Sequence, residues 1–147
     1  MASGAVIGAL VGGLVCVVGL IIAFSRKGSI EGISYTSRRR KIHLAHDGAD
    51  AYQLLRGLSM TGRYRLDAED PQRGILVFAS SPTLASWGFF HSVQITPAGP
   101  GAGSIVEVDI KSRLFQLGPV VTHHHDKFCS AIQERERAAL PAARVVS

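Results

Sequence analysis

The sequence predicts an α+β protein: an apolar N-terminal helix, then a small domain ordered helix, four strands, helix. Three observations lead there. Residues 5–24 carry no charge and no proline. Residues 47–59 and 119–140 place apolar side chains at helical spacing. Between them the apolar period drops to two, in runs separated by Gly and Pro.

The N-terminal run comes first. Its 20 positions match the length a helix needs to cross the hydrocarbon core. A secretory signal would want a basic start and a shorter apolar stretch, and Met1 to Gly4 bear no side-chain charge. The expectation is a single transmembrane helix within residues 1–25. Arg26 and Lys27 follow it and no Lys or Arg precedes it. Positive charge favours the cytoplasmic side, so the N-terminus is expected outside and the domain in the cytoplasm, at the inner membrane. Gly4, Gly8 and Gly12 recur every four residues and make one smooth helix face. That face suits packing against a membrane partner's helix or a second copy.

Residues 26–46 read as a basic linker. The net charge of +5 is carried beyond Phe24. Arg26, Lys27, Arg38, Arg39, Arg40 and Lys41 are candidate contacts for anionic lipid headgroups of the bilayer, or determinants of topology only. Nucleic acid is not expected, because Tyr35 is the one aromatic residue near the block.

The domain spans 47–140. Asp47 can cap the first helix, whose stripe is Ala51, Leu54, Leu55 and Leu58, with Gly62 as its stop. Strands follow at 63–68, 74–80, 87–96 and 104–113. In the last, Val106, Val108 and Ile110 face one way and Glu107, Asp109, Lys111 and Arg113 the other. A meander with one face on a core and one face solvated reads this way. Pro119 can open the final helix, with Val121, Phe128 and Ile132 on its stripe. Two helices on one face of a four-stranded sheet complete an open sandwich. Residues 141–147 read as a disordered tail.

The run Val108-Asp109-Ile110-Lys111-Ser112-Arg113, then Gly118 and a helix carrying Phe128 and Ile132, resembles the closing segment of a small bacterial α+β family of unknown function. The resemblance covers residues 48–133. It implies the fold and a bacterial origin, and no activity. The chain departs from the family at Leu114-Phe115-Gln116-Leu117 and at His123-His124-His125, where the family has Ser, Arg and Gly positions and an Asn-Ala helix start.

Candidate chemistry is sparse. Consecutive residues 123–125 on a helix point about 100° apart and cannot converge on one ion. His125 falls on the buried stripe. His43, His46 and Asp47 have no Cys or acidic partner at ligand spacing, so no metal is expected. No G-x-S-x-G elbow, Walker loop or dinucleotide fingerprint is present. Cys129 beside Phe128 reads as an inert buried thiol, and Cys16 lies in the apolar run. No catalytic residue and no cofactor are expected. The functional expectation is a non-catalytic accessory or scaffold protein whose domain mediates protein interaction. The alternative is a module for a lipid or other hydrophobic ligand, with Trp87, Phe89, His125 and Phe128 around a pocket between sheet and helices.

Overall fold

The computed structural model describes residues 3–31, 36–83, 86–114, 116 and 118–143. The order is α1 (Ser3–Ser25), β1 (Arg40–Leu44), α2 (Gly48–Arg56), a 3-10 turn (Gly57–Thr61), β2 (Tyr64–Asp70), β3 (Ile75–Ser80), β4 (Phe89–Pro97), β5 (Ser104–Ser112) and α3 (Gly118–Ala143).

The strands form one antiparallel sheet in the order β1-β5-β4-β3-β2. The expected four-stranded meander is β2 to β5. A fifth strand, β1, joins it by pairing along the edge of β5, from Arg40 opposite Val108 to Leu44 opposite Ser104. The four-strand expectation is corrected here. The basic block hid the strand: Arg40, Lys41 and His43 stay exposed while Ile42 and Leu44 turn into the core. That alternation is a half-buried strand whose polar positions happen to be cationic.

Local chemistry sets the elements. Asp47 caps α2, its Oδ1 accepting from the backbone N–H of Ala49 and Asp50 at 3.1 and 3.0 Å. These are donors that the first helical turn leaves unsatisfied. Asp47→Ala should therefore cost about 1 kcal/mol, seen as a lower thermal midpoint; an unchanged midpoint would show that the cap is dispensable. Tyr52 and Arg56 of α2 both reach Glu69 on β2, at 3.0 and 2.9 Å. Burial and the Glu69 hydrogen bond push the Tyr52 hydroxyl up to about 12. Gly62, expected to stop the first helix, instead ends the 3-10 turn that follows it, at φ 73°; α2 itself stops at Arg56. At the β4–β5 tip Gly103 adopts φ 77°, and a Cβ there would collide with the Leu44 carbonyl. α3 continues to Ala143, through Pro141, beyond the expected end at 140. The rest of the expected disordered tail lies outside the described residues.

The core lies between α2, α3 and the inner sheet face. Ala51 and Leu55 meet Phe128 and Ile132 over Leu76, Phe78, Val93, Val106 and Val108. The other face was expected to be solvated. Instead, all six residues of β3 are buried, and Asp109 and Arg113 are 4% and 3% exposed. The outer face is covered over β3 and around Asp109 and Arg113, while Lys111 stays exposed.

α1 occupies the apolar N-terminal run, yet among the described residues no helix is long and apolar enough to cross a membrane. This overturns the transmembrane helix, the single-pass inner-membrane location and the outside-to-cytoplasm orientation read from its flanks. The helix also has a neighbour in the domain: a Cβ on Gly19 would stand 3.2 Å from the Trp87 ring.

Candidate functional site

α1 presents apolar side chains in nearly every direction. Leu10, Val11, Leu14, Val15 and Ile21 are each more than half exposed, Leu10 at 69%. Water does not favour such a surface, and a helix that is hydrophobic all round is normally covered. Gly8 and Gly12 have open space where a Cβ would stand, so their shared face is a groove free of contacts among the described residues. Gly4, the third residue expected on it, falls outside the residues whose surroundings are described. Gly19 does not extend the groove, because Trp87 fills that position.

The chain after α1 straps the outer face of the sheet. Arg26 Nη1 donates to the Arg113 carbonyl at 2.6 Å, and the Gly28 N–H donates to Asp67 Oδ2 at 2.8 Å. A Cβ on Gly28 would stand 2.6 Å from Val77 Cγ1 and 3.1 Å from Phe90 Cδ1, so this close approach admits only glycine. Further along, the N–H and Oγ1 of Thr36 both bond the Asp109 carboxylate at 2.5 Å. Arg113 lies over the Phe90 ring, 4.7 Å from its centroid. Burial opposes ionisation of Asp67, but hydrogen bonds from Arg65 and Gly28, with the Arg65 and Arg113 charges, hold its carboxyl below the usual range. Arg113 is lowered by burial, against the pull of Asp67. The strap bridges a cavity of about 250 Å³ bordered by Arg26, Lys27, Phe90, Ser92, Asp109 and Lys111. Sequence reasoning missed Gly28, Thr36 and Asp67. The wholly apolar β3 was the signal, since a strand reads so when both its faces are covered.

The six basic residues do not make one surface. Arg26 and Lys27 border the strap cavity. Arg39 and Lys41 pair with Glu107, Lys41 at 3.2 Å, and Arg40 pairs with Asp126 at 2.5 Å. Arg38, Arg39 and Arg40 border a separate cavity of about 260 Å³ with Ser37, Thr122 and His125.

The four residues expected around a hydrophobic ligand are likewise divided. Phe89 and Phe128 are fully buried and committed to ring packing. Phe128 meets Tyr64, Phe78 and His91 at 4.8, 5.6 and 4.2 Å, and Phe89 meets His124 at 4.5 Å. Trp87 precedes β4 and turns to α1. His125 borders the cavity at the basic block. Burial holds the imidazoles of His91, His124 and His125 below their ordinary value, that of His91 at about 3. Burial also pushes the Cys129 thiol up, which disfavours the reactive thiolate. His43 is exposed on β1. No group of three or more His, Cys, Asp or Glu placed to hold a metal occurs among the described residues.

The sequence matches no protein-family model and no curated protein. The fold has a solved counterpart. An uncharacterised protein from Bacillus thuringiensis superposes with a TM-score of 0.52 at 11% identity, over 69% of this chain and 97% of its own. At that identity the likeness shows the fold alone, and the resemblance to a bacterial α+β family of unknown function stands at that level.

Proposed function

We propose that this chain is a non-catalytic interaction protein in which α1 is the docking element and the α+β domain is its rigid mount. The observation that carries the reading is the apolar surface of α1, exposed from Ile7 to Ile22. Burying one large aliphatic side chain contributes about 1.5–3 kcal/mol, so a partner covering a few of them gains enough to hold a complex. The partner's chemistry follows from the surface: another apolar helix, from a second copy or a different protein, laid along Gly8 and Gly12. Close backbone approach there needs the missing side chains. The Trp87–Gly19 contact and the bonds made by Arg26 and Gly28 support α1 against the domain.

The test is to fill the groove. Gly8→Leu and Gly12→Leu should dissociate the complex formed by the full chain in mild detergent while its circular dichroism stays unchanged. An assembly unaffected by both substitutions would reject this face as the contact.

A further inference from the structure

The second cavity, where β1 meets the start of α3, has a different chemistry and does not depend on the reading of α1. We propose that it binds a phosphate-type oxyanion, a hydrogen phosphate or phosphomonoester, held by the Arg38 guanidinium and received at Nε2 of His125.

Six residues border this space of about 260 Å³: Ser37, Arg38, Arg39, Arg40, Thr122 and His125. That volume suits a single tetrahedral oxyanion with its attached group. Arg39 and Arg40 are offset by Glu107 and Asp126. Arg38 is exposed and has no carboxylate partner among the described residues. Its Nη2 comes within 3.8 Å of where a Gly118 Cβ would stand, beside the first residue of α3. A guanidinium next to the positive end of a long helix is a favourable place for an anion.

The buried histidine supplies the independent observation. His125 borders this space and is 2% exposed, yet its Nε2 has no hydrogen-bond partner among the described residues. The ring bonds the Val108 carbonyl, and with Nε2 unpartnered the donor there is Nδ1–H. A neutral imidazole that donates from Nδ1 offers a bare lone pair at Nε2. An unmet acceptor in a dry position costs free energy. A ligand that satisfies it must bring a proton as well as negative charge. Hydrogen phosphate and protonated phosphomonoesters carry a P–OH beside their anionic oxygens. Sulfate carries charge without that proton. The site therefore discriminates between two ions of nearly equal shape.

The experiment is a ¹⁵N-resolved titration of the full chain in mild detergent near neutral pH, with inorganic phosphate as the probe and sulfate at matched ionic strength as its control. Saturable shifts are expected in the amides of residues 37–40 and 122–125, with phosphate about tenfold tighter than sulfate. Arg38→Gln should weaken phosphate about tenfold. His125→Asn keeps a donor for the Val108 carbonyl and deletes the acceptor, so it should erase the preference over sulfate with the fold intact. Glycerol phosphate in a parallel arm at about pH 5.5, where the ester keeps its P–OH, names the source: tighter binding than the free ion makes an ester the ligand, and equal or weaker binding makes it the free ion. Three results would overturn the proposal. They are no saturable shift up to about 10 mM phosphate, well above millimolar affinity; equal affinity for phosphate and sulfate; and undiminished binding by Arg38→Gln.

Discussion

Replacing Phe128 by alanine is expected to lower stability by about 3–5 kcal/mol, the range for emptying an aromatic site in a packed core. Phe128 has no exposed surface and is the hub of the ring cluster. It stacks on His91 with the rings 13° from parallel, and meets Tyr64 edge-on at 84°. The cavity left behind has walls from both layers, β3 and β4 on one side and α3 on the other, so neither layer can close it without moving. Urea unfolding followed by far-ultraviolet circular dichroism reads the loss as a lower midpoint at unchanged slope. A cost below about 1 kcal/mol would mean that the site collapses easily and the cluster is not the centre of the core.

The second large effect is acid sensitivity centred on His91. The ring is wholly buried, and neither nitrogen has a hydrogen-bond partner among the described residues. Burial, then the neighbouring His125 and His124, lowers its pKa from 6.5 to about 3. Between those values the unfolded chain holds a proton that the folded chain refuses. Stability therefore rises with pH across this window, levels off above about 6.5, and falls by about one proton's worth per unit as the pH drops towards 3. His124 and His125 are shifted in the same direction and add to the slope. His91→Leu should remove about one proton from the uptake on unfolding and leave stability at neutral pH equal or higher, because a leucine has no buried polar atoms to leave unmet. Unfolding midpoints measured from pH 7 to pH 4 give the answer. A wild-type slope unchanged by the substitution would place the titration elsewhere.

Much of the fold was legible because its patterns were local. The alternation of Val106, Val108 and Ile110 marked β5, Asp47 marked the start of α2, and Gly62 marked the end of the 3-10 turn that follows α2. What the sequence concealed was set by distant partners. β1 exists because β5 offers it an edge, and its outward positions are filled by Arg40, Lys41 and His43, which look like a charge run in isolation. The outer sheet face is covered because Gly28 can sit against Val77 and Phe90, a contact between residues far apart in the chain. Asp109 therefore reads as a solvated ladder residue while serving as a buried acceptor for Thr36. The membrane reading came from counting apolar residues 5–24. Among the described residues no helix is long and apolar enough to cross a membrane, and Trp87 lies on one face of α1.

The candidate site was legible in part. Gly8 and Gly12 were identified by spacing alone, and both are open. The basic residues were identified by type, but their division between the strap and the start of α3 depends on how the chain passes over the sheet edge. The pairing of Arg38 with His125 across one cavity joins residues nearly ninety positions apart, and no sequence period carries that information.

The central claim is that α1 is a docking helix. The most direct measurement is the native mass of the full chain in mild detergent, with mass spectrometry of whatever accompanies it. A docking α1 gives a stoichiometric assembly, either two or more copies or a complex with a second protein, that falls to a single chain in Gly8→Leu and Gly12→Leu. A wild-type chain that runs as a monomer with nothing bound would contradict it.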